Sequence, residues 1–315
     1  MSTSKRQTVL LTGATGFLGS QLLEKLVSEN RFSVVILKRT TSDCWRIEHL
    51  LNKVKLFNID EDSLLVIFKS IPIDYIIHLA TLYKKSDDVK DIPDMVESNI
   101  AFPASLIELG VHYGIKGFIN TGTFFEYDCV TQPVNECAKI RPLNFYAKTK
   151  LAFENILKTY SENTYINTFR LFSPYGEKDN FKLIPMIINK ALNHENISLS
   201  DGLQKLDFTY SGDIVNAYIR ALNKIGSGPP MKGYSIYNLG SGQPISIREI
   251  VSVIEQHLGF SIDISWGKPS KVDISIAYAD ITKVNNELGW FPQFSIHKGI
   301  ANTIKYYVNT NEVRF

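Results

Sequence analysis

Near its beginning the chain reads Thr12-Gly13-Ala14-Thr15-Gly16-Phe17-Leu18-Gly19, with three glycines in eight residues. The apolar run 9–12 before this stretch predicts a strand, and the amphipathic pattern over 17–30 predicts a helix after it. Glycines at such a junction allow a tight turn and let backbone N–H groups approach a pyrophosphate at the positive end of the helix. The position therefore favours a dinucleotide-binding turn over an ordinary tight turn, with contacts from Gly13, Thr15, Gly16, Phe17 and Leu18.

The alternation of strand and helix continues beyond this turn. Short β-branched or apolar runs predict strands at 34–37, 55–59, 74–79, 117–121 and 167–172. Helical patterns predict helices at 64–70, 96–113 and 146–162. Continuous apolar strands separated by helices predict an α/β fold, a Rossmann-type doubly wound parallel sheet.

The pattern changes after residue 172, where glycines and prolines divide the chain into shorter elements. Two helical patterns remain in this part, at 184–194 and 247–258. We predict a dinucleotide-binding Rossmann domain over residues 1–172. Residues 173–315 are predicted to form mainly a smaller C-terminal substrate-binding lobe, with segments near 208–242 returning to the sheet.

The composition excludes several classes of protein. The 315 residues carry 34 Lys and Arg against 32 Asp and Glu, so no basic excess predicts a nucleic-acid partner. The three cysteines have no metal-ligand spacing and the histidines form no HExxH motif, which predicts no metal site and favours a reducing compartment. The first apolar run is too short for a signal peptide or a membrane span. We expect a cytoplasmic protein without a membrane partner.

The end of the second predicted strand indicates which dinucleotide binds. Enzymes of this architecture that use NAD usually place an acid there, against the ribose 2′-hydroxyl. This chain has Lys38 and Arg39 instead. A guanidinium can bind a 2′-phosphate through two charge-assisted hydrogen bonds, whereas an acid would repel it. The pair predicts NADP(H) as cofactor, although two basic residues could also simply end a strand at the surface.

Seven motifs in order resemble those of one known family across nearly the whole chain. They are the glycine-rich stretch 12–19 (TGxxGxxG), 77–80 (HLA), 146–150 (YxxxK), 170–176 (RxxNxYG), 207–213 (DFxxVxD), 238–242 and 288–292. The sequence resembles the extended short-chain dehydrogenase/reductase family of the NAD-dependent epimerase/dehydratase type. Two positions depart from its pattern, since Ser173 replaces the usual Asn and Asn58 replaces the usual Asp.

The resemblance implies further cofactor contacts. Asn58 and Ile59 fall where the family places residues beside the adenine, and Asn99 matches the family asparagine in the helix after strand four. The remaining residues that the resemblance places at the cofactor are Leu79, Ala80, Thr81, Thr121, Tyr146, Lys150, Phe172 and Ser173.

Tyr146 and Lys150 carry the predicted chemistry. Residues four apart on a helix share a face, so both side chains can point into one site. A free tyrosine titrates near pH ~10, and a nearby ammonium would draw its pKa down toward the range that acid–base catalysis needs. The resemblance adds Thr123 as the third catalytic residue, holding the substrate oxygen, with Thr121 as the alternative. A simple surface helix pair is the competing interpretation of Tyr146 and Lys150.

The family resemblance leaves several activities to distinguish. Its dehydratases carry Asp-Glu directly after the catalytic Thr, where this chain has Phe124 and Phe125, which cannot transfer protons. Its 4-epimerases keep a tightly bound nicotinamide and usually have the acid for NAD. Lys38 and Arg39 therefore favour an NADPH-dependent 4-ketoreductase over an epimerase. A family member that binds NADP(H) as a regulatory or scaffold protein, without turnover, is a third hypothesis.

The expected substrate is a nucleoside-diphosphate 4-keto-6-deoxyhexose. The stretch 37–47 is similar to synthases of CDP-linked 3,6-dideoxyhexoses, which implies a role in O-antigen or related surface-polysaccharide biosynthesis. The resemblance places these residues at the substrate: Thr123, Ser173, Asn180, Lys182 and Leu183. Phe124 and Phe125 are expected to line the sugar pocket, although aromatic residues at a strand end belong to the core as often. A homodimer is expected through helices 99–113 and 146–162, with Ile107, Val111, Leu151, Ile156 and Leu157 either in the interface or against the sheet.

Overall fold

The strands of the protein are described in a computed structural model that covers residues 6–84, 88–179, 182–228, 231–269 and 274–310. In chain order they are β1 (Gln7–Thr12), β2 (Phe32–Lys38), β3 (Lys55–Asn58), β4 (Tyr75–His78), β5 (Gly117–Thr123), β6 (Tyr165–Leu171), β7 (Pro174–Tyr175), β8 (Ile197–Leu199), β9 (Lys205–Asp207), β10 (Thr209–Tyr210), β11 (Gly233–Leu239), β12 (Pro244–Ser246), β13 (Ile264–Trp266) and β14 (Ile276–Ala277).

Seven of these strands form the main sheet, in the order β11-β6-β5-β4-β1-β2-β3. β1 pairs in parallel with both β2 and β4, and its last residue Thr12 lies opposite Leu37 and His78. β2 and β3 are also parallel, with Lys38 opposite Asn58. The carboxyl ends of these strands therefore meet at one edge, the edge at which open α/β sheets bind their ligands. The Rossmann-type parallel sheet predicted from the sequence is confirmed.

Ten α-helices lie within the described residues. They are α1 (Phe17–Ser28), α2 (Leu64–Ser70), α3 (Ile92–Val96), α4 (Phe102–His112), α5 (Phe145–Lys158), α6 (Leu183–Leu192), α7 (Ser211–Gly226), α8 (Ile247–Leu258), α9 (Thr282–Leu288) and α10 (Ile296–Thr310). The predicted bounds of α2 and α8 match. For α8 the reason is visible locally, because Ser246 and Glu249 form a capping box at its start and Gly259 ends it with φ +81°.

Helices α2, α4 and α5 bury their apolar stripes against one face of the main sheet. Alternate residues of each strand point to that face, as the period of two requires. Fully burying one such side chain stabilises the fold by ~1.5–3 kcal/mol. The cluster contains Leu10, Val35, Leu37, Ile76, Phe118 and Ile166 from the strands and Ile67, Phe68, Leu106, Ile107, Phe153 and Leu157 from the helices. Ile107 and Leu157, two of the five residues considered for a dimer interface, therefore belong to this core.

The chain divides into two units. The first comprises residues 1–128, 139–170 and 215–237, and the second comprises 129–138, 171–214 and 238–315. The second unit has its own apolar core, made by α6, α8 and α10 with the short strands. Its most buried members are Ile187, Ile188, Ile197, Ile250, Ile254 and Ile300.

The predicted helix 96–113 differs from the observed structure. Helix α3 begins earlier, at Ile92, and a π-helical segment, Glu97–Ala101, separates it from α4. Pro103 near the start of α4 has no N–H to donate to the preceding turn, and a widened turn accommodates this loss. Three helices that the sequence analysis did not predict, α7, α9 and α10, lie after residue 172.

Candidate active site

The glycine-rich turn is shaped by close contact with the two residues that follow strand β4. Gly13 has φ +74°, and a Cβ there would lie 2.6 Å from the backbone nitrogen of Ala80. A Cβ at Gly19 would overlap the carbonyl of Gly13. Only glycine fits either position, so the turn and the predicted cofactor residues Leu79 and Ala80 pack backbone to backbone.

The start of helix α1 offers an anion site. Its N-cap is Gly16, no side chain caps the free N–H groups, and no acid stands in the first turn. The predicted contacts Thr15 and Leu18 are half-buried and Phe17 is buried. Phe17 and Leu18 are the first two residues of α1, so their N–H groups have no partner within the helix and can donate to a ligand. The aligned peptide dipoles of this twelve-residue helix give its start a partial positive charge. A free, positive helix start of this kind fits the pyrophosphate of a dinucleotide.

Lys38 and Arg39 occupy the end of β2. Lys38 is half-buried and donates to the carbonyl of Arg39 at 3.0 Å. The exposed Arg39 guanidinium donates to the hydroxyl of Ser98 at 2.7 Å, so it is held beside the π-helical segment. Both cations stand at the carboxyl edge of the sheet, where the ribose 2′ substituent is read in this architecture.

Asn58, at the end of β3, carries a buried polar atom that has no hydrogen-bond partner. This atom is Oδ1, while Nδ2 donates to Glu61 at 3.0 Å. The next residue, Ile59, donates its N–H to the carbonyl of Lys38 at 2.8 Å, which fixes the pair against β2. An orphaned acceptor fits the amino group of an adenine, the ligand group expected here.

The end of β4 is held by two threonines. The Thr12 hydroxyl and Nδ1 of His78 are 2.8 Å apart, and Thr121 donates to the His78 carbonyl at 2.8 Å. The Thr121 hydroxyl also lies 2.6 Å from that of Tyr218, which places it in the interior of the first unit. Burial, and then the charge of Lys150, lowers the pKa of His78 well below its usual value, so this histidine is neutral.

Tyr146 is joined by hydrogen bonds to residues that follow β4. Its side chain is hydrogen-bonded to that of Thr81, and Thr81 donates its only hydroxyl hydrogen to Oδ1 of Asn99 at 3.0 Å. Thr81 thus lies between the phenol and Asn99. The Tyr83 ring packs edge-on against it, with the centroids 4.8 Å apart.

Asn99 organises this corner from the π-helical segment. It accepts from the Leu82 N–H at 2.8 Å and donates to the Leu82 carbonyl at 3.0 Å. It also donates to the hydroxyl of Thr149, one turn along α5 from Tyr146. In this structure the predicted cofactor residue Asn99 fixes the backbone after β4 against helix α5.

The ionisation of Tyr146 and Lys150 differs from the sequence-based expectation. Burial raises the pKa of Tyr146, the bond to Thr81 lowers it, and the charge of Glu126 raises it further. The net shift is upward, so the expected lowering by Lys150 is not what this structure shows. Burial also lowers the pKa of Lys150 to about 8, against the charges of Glu126 and Glu154. Tyr146 is thus a phenol across the neutral range, and Lys150 is still mainly an ammonium at pH 7.

Thr123 ends β5 and is fixed by the residues that follow it. Its N–H donates to Oε1 of Glu126 at 2.9 Å, and its hydroxyl accepts from the Phe125 N–H at 3.3 Å, forming a capping box. The hydroxyl can still donate its own hydrogen to a ligand. Phe124 is buried and Phe125 half-buried, with their ring centroids 4.4 Å apart.

A buried ionic cluster behind Thr123 was missed by the sequence analysis. Arg170 binds Glu154 through Nε at 3.1 Å and Nη2 at 2.6 Å, and its Nη2 lies 3.1 Å from Glu126. All three side chains are at most 1% exposed. Two signals were present, namely the T-x-x-E spacing from Thr123 to Glu126 and the position of Glu154 one turn after Lys150.

The remaining predicted residues belong to the second unit. Phe172 is buried and donates its N–H to the Leu239 carbonyl at 2.9 Å. Ser173 has φ +23°, a conformation that the usual Asn of this motif tolerates better. Lys182 is the exposed N-cap residue of α6 and Leu183 its first residue, and this helix start has no side-chain cap. Asn180 lies outside the described residues.

Metal ligands and membrane spans are both absent from the part of the chain that the structure describes. Its residues contain no group of three or more His, Cys, Asp or Glu side chains arranged to hold a metal ion. Among the helices of the same residues, none is both long enough and apolar enough to cross a membrane.

Comparison with known proteins gives consistent matches over nearly the whole chain. The sequence profile of the NAD dependent epimerase/dehydratase family matches residues 9–240. CDP-abequose synthase of Salmonella muenchen is 30% identical over 303 residues, covering 94% of this chain and 96% of the relative. UDP-glucuronate 4-epimerase of Thermodesulfobacterium geofontis is 29% identical, covering 94% of this chain and 95% of the relative. The structure of UDP-glucuronic acid 4-epimerase from Bacillus cereus with UDP-glucuronic acid and NAD has TM-score 0.86 and 25% identity, covering 96% of this chain and 99% of that one.

Proposed function

Since the chain belongs to the NAD dependent epimerase/dehydratase family, we propose that it is an NADPH-dependent reductase of a nucleoside-diphosphate 4-keto-6-deoxyhexose. The observation that carries this proposal is the basic pair Lys38 and Arg39 at the end of β2, where NAD enzymes of this architecture carry an acid. Arg39 is held in place by Ser98, so the guanidinium is positioned before a ligand arrives.

The residues of the first unit fit the dinucleotide. The uncapped start of α1 would hold the pyrophosphate, and the orphaned Oδ1 of Asn58 would meet the adenine amino group. Arg39 would bind the 2′-phosphate, and Lys150 the nicotinamide ribose, as the family resemblance implies. When bound, NADPH would supply the hydride for C4 of the sugar.

The proton for the reduced oxygen comes from Tyr146. Its pKa is raised by burial, so it is protonated at neutral pH, the state that a proton donor to a forming alkoxide requires. The Thr123 hydroxyl would hold the same oxygen, and the Lys150 ammonium would stabilise the tyrosinate left after transfer. General acid catalysis of this kind accounts for ~10²–10⁴-fold in rate.

The side chains beside Thr123 and in the second unit support the sugar class. Phe124 and Phe125 have no ionisable group to remove or add protons during loss of water, so dehydration is disfavoured. The uncapped start of α6 with Lys182 is suited to a diphosphate, and Ser173, Asn180 and Leu183 are proposed at the same ligand. The similarity to CDP-abequose synthase supports a CDP-linked 3,6-dideoxy sugar and a role in surface-polysaccharide biosynthesis.

A 4-epimerase with tightly bound NAD is the second candidate. The similarity to UDP-glucuronate 4-epimerase favours it about as strongly. The two functions differ in the fate of the hydride, because an epimerase returns it to the substrate and consumes no cofactor. Homodimer formation through α4 and α5 is proposed for either function.

The distinguishing experiment combines the purified protein with NADPH or NADH and 4-keto-6-deoxy sugars linked to CDP, dTDP, UDP or GDP. Loss of absorbance of the reduced nicotinamide with one nucleotide series is expected. Tyr146→Phe should abolish it, while the matched variant Tyr83→Phe, which keeps the ring packed on Tyr146, should retain it. No consumption, with nicotinamide bound to the purified protein and C4 inversion of UDP-sugars, would establish the epimerase instead. Absence of both activities would overturn both.

A further inference from the structure

The donors just after β2 are already occupied by a carboxylate of the chain itself. The N–H of Thr40 lies 3.0 Å from each carboxylate oxygen of Asp60, and the Thr40 hydroxyl donates to Oδ2. The hydrogen bond from the Thr40 hydroxyl is the main cause that lowers the pKa of Asp60, and the charge of Lys38 contributes. Asp60 is therefore ionised at neutral pH.

The groups around Asp60 are suited to an anion, and they stand at the end of the strand that distinguishes the two dinucleotides. A backbone N–H, a hydroxyl and an ammonium are the groups that bind phosphate oxygens in proteins. The two Thr40 groups directly follow Arg39 and the Lys38 ammonium directly precedes it, at the end of the strand that reads the ribose 2′ substituent. The acid that faces them comes from the connection after β3, twenty residues further along the chain. The sequence at the end of β2 therefore shows the two cations, Lys38 and Arg39, but not the carboxylate that the fold brings to them.

We propose that Asp60 sets the cofactor selectivity of this chain by competing with the 2′-phosphate for the donors of Thr40. The inference rests on the dinucleotide site of the proposed function. A 2′-phosphate must displace the carboxylate and approach it at close range, whereas a 2′-hydroxyl carries no charge to be repelled. Asp60 thus lowers the affinity for NADP(H) below the value that Lys38 and Arg39 alone would give, and leaves the affinity for NAD(H) intact. Because its side chain is exposed, it can turn aside without leaving a cavity.

The test measures dissociation constants for NADP⁺ and NAD⁺ by calorimetry, without a sugar substrate, for the wild type and Asp60→Asn. The amide keeps the shape and one acceptor for the Thr40 N–H but removes the charge. NADP⁺ binding should become tighter by about two- to fivefold, the effect of one like charge near the surface. NAD⁺ binding should change by less than about twofold, and the gain for NADP⁺ should shrink at high salt.

Asp43→Asn is the matched control. It removes the same charge from the loop after β2, where Asp43 accepts a hydrogen bond from the Trp45 N–H at 3.0 Å. In Asp43→Asn the ratio of the dissociation constants for NADP⁺ and NAD⁺ should stay near that of the wild type. Asp60→Ala removes the acceptor for the Thr40 N–H as well as the charge. Comparing it with Asp60→Asn separates the effect of the charge from the effect of the hydrogen bond that orders the loop.

Two results would overturn the proposal. Equal changes for both dinucleotides in Asp60→Asn would show that the carboxylate only orders the loop. Weaker NADP⁺ binding in both Asp60 variants would show that it supports the phosphate site. Either result leaves the proposed function standing if the wild type binds NADP⁺. A wild type that binds neither dinucleotide would overturn the cofactor site and this inference together.

Discussion

The Tyr146 phenol is hydrogen-bonded to the side chain of Thr81, a residue 65 positions earlier in the chain. Thr81 is in turn hydrogen-bonded to Oδ1 of Asn99 at 3.0 Å, which holds the partner of the phenol in place. The bond aims the hydroxyl and lowers the pKa of Tyr146 against the opposing effect of burial.

Thr81→Val should therefore reduce kcat for the proposed reduction by about tenfold, the value of one hydrogen bond. The phenol loses the partner that orients it, while the shape of the side chain is kept. Thr81→Ser, which retains a hydroxyl, should recover most of the rate. Steady-state kinetics at saturating cofactor and substrate would measure this, and a Val variant with the wild-type kcat would contradict it.

The pH dependence of kcat/KM should reveal the ionisation of Lys150. Its pKa is lowered to about 8, so the ammonium is present below that pH and is lost as the pH rises through it. We expect kcat/KM to fall above pH 8 if the charge supports Tyr146. The free energy of unfolding should instead rise over this range. Between pH 8 and ~10.4 the unfolded chain keeps the Lys150 proton that the folded chain has released, so raising the pH favours the folded state.

Lys150→Arg supplies the control for that profile. Arginine stays charged throughout this range, so the residual activity of the variant should lack the decline above pH 8. If kcat/KM of the variant declines above pH 8 as in the wild type, the decline is caused by a group other than Lys150.

Gly13→Ala and Gly114→Ala form a matched pair for the glycine-rich turn. The two residues have φ +74° and +77°, but a Cβ at Gly114 meets nothing within 4 Å while one at Gly13 meets Ala80. The left-handed backbone should cost ~1–2 kcal/mol at both positions. Overlap with the backbone that follows β4 should add ~1–3 kcal/mol at Gly13 and weaken NADP⁺ binding there. Chemical unfolding and calorimetry would test both, and equal losses of stability would refute the role of the contact.

Arg170→Met should destabilise the protein by ~3–5 kcal/mol, because it leaves Glu126 and Glu154 buried without their cation. Glu126→Gln should cost only ~1 kcal/mol. Burial and the charge of Glu154 already raise the pKa of Glu126, and the amide still accepts from the Thr123 N–H. Urea unfolding at pH 7 measures the difference, and similar losses in the two variants would count against a charge-based role.

The sequence predicted the elements whose signals are local. The strand, turn and helix around Gly13, the helix over Leu64–Ser70 and the capped helix over Ile247–Leu258 are defined by residues within each segment. Helices α7 and α10 were missed although their apolar spacing is present, as in Ile300, Ile304 and Tyr307. The frequent glycines and prolines after residue 172 obscured that spacing.

By itself the sequence determined the fold class, the glycine turn and the pairing of Tyr146 with Lys150 on one helix face, because each depends on local periodicity. The tertiary structure alone decided which residues meet Tyr146, how the buried Arg170 balances two carboxylates, and that Asp60 reaches Thr40. These contacts join segments that are distant in sequence, and they depend on the register of parallel strands and on the widened turn at Asn99. Burial also decided the ionisation of Tyr146 and Lys150, since loss of solvent outweighs the neighbouring charges that the spacing suggests.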